Sequence, residues 1–71
     1  MKNREILKMR IMRLEDDPKV WEIIEGYLDE EYNQMTMYCR LLDYYGGNER
    51  WNTECANALA WEINDWENEE D

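Results

Sequence analysis

The stretch between Asp17-Pro18 and Gly46-Gly47 limits what this chain can fold into more than any other feature. Within it, apolar side chains return at steps of three and four: Trp21, Ile24, Leu28, then Met35, Tyr38, Leu42 and Tyr45. That is the period of an α-helix, about 100° per residue. Asp17 suits an N-cap, and Pro18 suits the first helical position, where a missing N–H costs nothing. Gly46-Gly47 suits a left-handed C-cap. The spacing therefore predicts one helix over 18–45. Val20, Ile23, Tyr27, Tyr32, Cys39 and Leu41 widen its apolar arc to about half the circumference. An arc that wide needs two neighbours, supplied by the flanking segments or by a second copy of the chain. One position interrupts the seam: Glu31 falls in its centre.

The flanking segments are also helical in pattern. Trp51, Cys55, Leu59, Ile63 and Trp66 form one stripe, with the small Ala56 and Ala60 at its margin. Asn48 suits the N-cap of this helix, and Glu49 suits its positive end. The short Gly-Gly connection favours an antiparallel hairpin with the middle segment. At the start of the chain, Leu7, Ile11 and Leu14 repeat at helical spacing, while Ile6, Met9 and Met12 lie elsewhere on the wheel. A strand there would find no partner, because nothing later alternates. The expected fold is all-α: a small three-helix bundle built on a long helical hairpin, with helical dimerisation as an option. Its helices cover about 3–15, 18–45 and 49–67, with a frayed acidic tail after them.

Seventy-one residues make one domain, and a domain of that size buries only about 60% of its unfolded surface. Cys39 and Cys55 permit at most one bridge, too few for a disulfide scaffold, and read as reduced, buried or half-buried thiols of a cytoplasmic protein. Four Trp, five Tyr and five Met are too many for a disordered acidic coil. No apolar run reaches transmembrane length, and the basic start is too interrupted to be a signal peptide.

Charge divides the chain sharply. Residues 1–14 hold five bases and one acid, for +4; residues 15–71 hold 17 acids and three bases, for −14; the sum is −10. Such a surface repels nucleic acid and anionic membrane and attracts basic protein surfaces. Five bases in 14 residues could form an RNA- or membrane-binding arm, but directly before the acidic body they read rather as intramolecular or inter-subunit counter-charge. In particular, Glu31, buried in the seam, would need a cation, and Lys8, Arg10 or Arg13 is the expected partner. A helix break near Asp29–Glu31 would instead free Glu31 from the seam.

Two acidic faces emerge as candidate partner-binding surfaces. Glu22, Glu25 and Asp29 lie opposite the apolar arc at helical spacing. Glu54, Glu62, Asp65 and Glu69 follow the polar side of the last helix. Like charges so spaced cost a few tenths of a kcal/mol per pair, so stability alone would intersperse lysines. Carboxylates seven residues apart are about 10 Å apart along the axis, close to nucleic-acid backbone spacings. Trp61 falls away from the Trp51–Trp66 stripe, among Asn57, Asn68, Glu54 and Asp65. Packed on the first segment or on a second copy of the chain it would be structural, which is the reading to expect first; exposed there, it would serve as a binding anchor. Tyr44 and Met37, on the polar side of the middle segment, are weaker candidates of the same kind, and such aromatics could also stack on an arginine of a partner.

Catalysis has little to work with. The chain has no His and no Ser, and neither Thr36 nor Thr53 has an adjacent base. It has no Cys-x-x-Cys, no Glu-x-x-His and no phosphate loop, so no metal or cofactor is expected. In size, charge and aromatic content the chain resembles the small acidic inhibitors of phages and mobile elements, such as anti-restriction and anti-CRISPR proteins. That resemblance rests on no motif and transfers no residue roles. It implies a non-enzymatic inhibitor, acting in a host cytoplasm, that occupies the basic nucleic-acid-binding surface of a nuclease or similar protein. The alternative expectation is a self-associating regulatory or adaptor module, antitoxin-like, whose acids only confer solubility.

Overall fold

The computed structural model describes residues 3–47 and 49–69, which form four α-helices. Helix α1 spans Arg4–Leu14 and is capped by Asn3, whose side chain accepts from the Glu5 N–H at 2.9 Å. Helix α2 spans Pro18–Leu28, with Asp17 accepting from the Lys19 N–H at 3.0 Å and Pro18 in the first turn, as the sequence predicts. Helix α3 spans Gln34–Tyr45 and ends at Gly46, left-handed at φ 108°. Helix α4 spans Arg50–Asn68. Its N-cap is Glu49, which makes no side-chain cap bond; Asn48, the expected cap, lies outside the described residues. Glu67 and Asn68, in the segment expected to fray, are still helical; the last two residues of that segment lie outside the described residues.

The single helix expected over 18–45 is thus two helices joined by a turn. Glu30 takes φ 63°, a left-handed conformation few non-glycine residues adopt. The Glu31 N–H donates to Gly26 O at 2.9 Å and the Glu30 N–H to Tyr27 O at 3.1 Å, which closes α2. Asn33 then opens α3 by accepting from the Thr36 N–H at 2.9 Å. Gly26, Asp29 and Asn33, all poor helix formers, sit within eight residues of one another.

The break rotates everything after it. Met35, expected in the seam, is 77% exposed, whereas Met37, expected on the polar side, is fully buried beside Leu41. Glu31 is exposed on the turn. The core combines Leu7 and Ile11 of α1, Val20, Trp21 and Ile24 of α2, Met37 and Leu41 of α3, and Ala56, Leu59, Ile63 and Trp66 of α4. Leu14 and Trp51, expected on the inner stripes, are exposed at the ends of theirs.

Each helix packs on two others. Helix α2 lies against α1 and α3, and α4 lies against the same two from the opposite side. The apolar residues expected on one helix are thus divided between α2 and α3, which pack on each other and on one flanking helix each. Helices α2 and α4 meet diagonally, where Tyr27 Oη donates to the Glu67 carboxylate at 3.1 Å. At the other edge, Trp66 Nε1 donates to Asn3 O at 3.1 Å and ties α4 to the cap of α1. Cys39 is exposed, not buried as expected, and Cys55 is half-buried; both are free thiols. Among the described residues no helix is long and apolar enough to cross a membrane.

Candidate functional site

Helix α2 turns its core residues Val20, Trp21 and Ile24 inward, which leaves Glu22, Glu25 and Asp29 together on its outer side. Glu22 and Asp29 are exposed and Glu25 is half-buried. Two cations reach this row. Lys19 Nζ lies 3.7 Å from Glu22 Oε2, with both side chains largely in water. Arg4 Nη1 donates to Asp29 Oδ1 at 2.6 Å while its Nη2 donates to Leu28 O at 2.9 Å. Arg4 thus covers the negative C-terminal end of α2 and a carboxylate at once. Glu25, Glu30 and Glu31 have no ion pair among the described residues.

The second acidic face separates into two parts. Glu62 and Glu69 face α1, where Arg10 Nη2 donates to Glu69 Oε1 at 2.7 Å and Nη1 donates to its other oxygen. Arg10 Nε lies 3.9 Å from Glu62 Oε1. The hydrogen bond to Glu69, with the charges of Glu69, Glu62 and Asp65, raises the guanidinium pKa above its ordinary value. Arg4 and Arg10 of the first helix are therefore counter-charge to the end of α2 and to α4, whereas Lys8 and Arg13 have no ion pair among the described residues. The expected pairing of Glu31 with Lys8, Arg10 or Arg13 does not form: the turn carries Glu31 into solvent, and Arg10 serves Glu62 and Glu69.

Glu54 and Asp65 lie on the other side of α4, both exposed. Arg50 Nε is 3.3 Å from Glu54 Oε1, one helical turn away. Trp61 shares this side and is 67% exposed. Its indole borders a groove of about 260 Å³ lined by Gln34 of α3 and by Asn57, Ala60 and Asn64 of α4. Tyr38 Oη donates to Asn57 Oδ1 at 2.7 Å and fixes that amide. Gln34 was not a candidate in the sequence, because a helix continuous from residue 18 gives no reason for the start of α3 to sit beside Trp61.

Tyr44 has a structural task. Its hydroxyl donates to the carboxylate of Asp17, the N-cap of α2, and that bond raises the Tyr44 pKa. Its ring stays partly exposed beside Tyr45. Tyr44 also borders an open cleft of about 530 Å³ between α2 and α3, lined by Lys19, Glu22, Ile23, Glu31, Tyr32 and Arg40. Arg40 stacks over the Tyr32 ring, 4.3 Å from its centroid. Two of the three bases of the acidic body meet there, which spacing along one uninterrupted helix did not suggest.

The nine predicted partner-binding residues therefore form no single patch. Glu22, Glu25 and Asp29 stand on α2; Glu54, Trp61 and Asp65 stand on the outer side of α4; Glu62 and Glu69 are turned toward α1; and Tyr44 braces Asp17. Among the described residues, no three acids or thiols converge closely enough to hold a metal ion. No protein family, no curated protein sequence and no solved structure matches the chain.

Proposed function

We propose that this chain is a non-enzymatic acidic protein that docks on a basic, nucleic-acid-binding surface of another protein and keeps nucleic acid from it, in the manner of phage anti-restriction and anti-CRISPR inhibitors. The observation that carries the reading is the outer row of α2. Glu22 and Glu25 on α2 and Asp29 at its C-cap span about 10 Å, with Glu22 and Asp29 exposed and Glu25 half-buried. Only Asp29 is held by an arginine, while the lysine near Glu22 is itself exposed and screens weakly. A cationic cleft that normally holds phosphates would find carboxylates at comparable spacing. Long-range attraction would speed encounter under a net charge of −10.

The test is competition. The chain is used to capture its target from a bacterial lysate, and DNA or RNA is added as competitor. Displacement by nucleic acid, lost on Glu22→Lys with Glu25→Lys, is the expected result. Capture that ignores nucleic acid, salt and both substitutions overturns the reading.

One observation favours a second reading. Ile6 and Met9, one turn apart on α1, are both exposed, as is Trp51 at the start of α4. A self-associating regulatory or adaptor module would cover such residues. Light scattering at high concentration separates the two: a strict monomer removes the module reading.

A further inference from the structure

We infer that the groove beside Trp61 receives an arginine side chain of a basic protein partner, a step that rests on the docking function proposed above. The groove, about 260 Å³, is smaller than sites that enclose a drug-sized ligand and suits one side chain. Its chemistry selects the occupant. It is lined by the exposed indole of Trp61, by the amide-bearing Gln34, Asn57 and Asn64 and by the short Ala60. Tyr38 fixes Asn57. The side-chain amides of Gln34 and Asn64 have no hydrogen-bond partner among the described residues, so their oxygens are available as acceptors.

No base lines the groove, and Asp65 stands one helical turn from Trp61; Glu54, two turns away, is paired with Arg50. The field there is negative, which disfavours a nucleobase, since stacking it would bring its phosphate along. Among cations, a guanidinium fits best. It is planar, weakly hydrated and able to stack on an indole while its N–H groups reach amide oxygens. A lysine ammonium, compact and strongly hydrated, would give up water for a groove that offers no carboxylate in contact. Among the described residues a guanidinium already lies over an aromatic ring, Arg40 over Tyr32 at 4.3 Å.

The test uses the full chain, labelled with nitrogen-15, and two peptides of equal length and charge, alternating glycine with arginine or with lysine. The indole N–H signals of the four tryptophans report where each peptide binds. The arginine peptide should shift the Trp61 signal and bind about fivefold more tightly than the lysine peptide. Trp61→Leu should abolish that preference without lowering the melting temperature, since the ring is exposed. Equal affinities in the native chain, or a preference unchanged by Trp61→Leu, would overturn the inference. Salt-dependent binding without arginine preference leaves the docking function standing and removes the groove. Arginine preference at Trp61, combined with target capture that ignores Glu22→Lys and Glu25→Lys, keeps the groove and removes the docking function.

Discussion

The ring of Tyr32 lies over Gly26, in the space that a Cβ at residue 26 would occupy. Its hydroxyl donates to Ile23 O one turn earlier, and its outer face carries the Arg40 guanidinium at 4.3 Å. Tyr32 therefore folds back on the end of α2 and holds the turn that separates α2 from α3.

Gly26→Ala opposes two effects. Helix propensity alone favours alanine by about 1 kcal/mol. The new methyl, however, meets a ring anchored at both its hydroxyl and its face, and overpacking of that kind costs about 1–3 kcal/mol. A net loss of about 1 kcal/mol is expected in urea denaturation. In a Tyr32→Ala background the ring is gone, and Gly26→Ala should become stabilising. A gain in the native background would show that Tyr32 moves aside freely.

Tyr45 should contribute to a loss of stability at alkaline pH. Its hydroxyl is buried without a hydrogen-bond partner among the described residues. Burial, reinforced by the charge of Glu15, raises its pKa well above the ordinary value of 10.0. The folded state thus keeps a proton that the unfolded chain releases. Stability from this group is fully present below about pH 10 and is lost as pH rises toward the folded-state pKa. Tyr27 shifts in the same direction through burial and Glu67 and adds to the loss. Tyr45→Phe should stabilise the protein by about 1 kcal/mol at neutral pH, by removing an unsatisfied polar atom. It should also flatten the decline above pH 10. An unchanged alkaline profile in thermal melts would assign that decline elsewhere.

Met37→Ala and Met35→Ala distinguish the observed pair of helices from one continuous helix. Met37 is fully buried, so its truncation should cost about 2–5 kcal/mol. Met35 is exposed, and its truncation should fall within about 0.5 kcal/mol of neutral. A helix unbroken from residue 18 to 45 would reverse the order of the two effects.

What the sequence revealed and what it concealed divide on the range of the interactions. The Asp17-Pro18 start, the Gly46 end and the inward stripe Leu59, Ile63, Trp66 depend on neighbours within one or two turns, and spacing makes them visible. Tyr32 misled because an aromatic at helical spacing fits a seam as well as a fold-back over glycine, and only the second explains Gly26. The pairs Arg4–Asp29 and Arg10–Glu69 join residues 25 and 59 apart in the chain. Their choice among five bases follows from how α1 lies across α2 and α4, which no local pattern encodes. The wheel set Trp61 off the inner stripe but left open whether another element covered it, and the groove beside it was not legible, because Gln34 arrives only through the break.

Arg10 offers a measure of how far the basic segment neutralises the acidic body. Arg10→Met keeps the aliphatic stem and removes the charge that sits between Glu62 and Glu69. The variant should melt at a lower temperature than the native chain in dilute buffer. The difference should narrow as salt is added, because the screened pair contributes less. A difference that is constant from low to high salt would assign the role of Arg10 to packing of its stem.

The two outer surfaces should separate kinetically once a basic target is in hand. Glu22 and Glu25 act at a distance, through the field that guides encounter. Replacing both with Gln should therefore slow association and reduce its dependence on salt, with dissociation little changed. Trp61 acts only in contact, so Trp61→Leu should speed dissociation and leave association near its native rate. Glu62→Gln serves as the internal comparison, since that carboxylate is turned toward Arg10 on α1 and should alter stability more than association. Stopped-flow or biosensor traces at two salt concentrations resolve all three. If Glu62→Gln slows association as much as the α2 pair does, the acidic surface acts through total charge alone, and the row on α2 has no special place in docking.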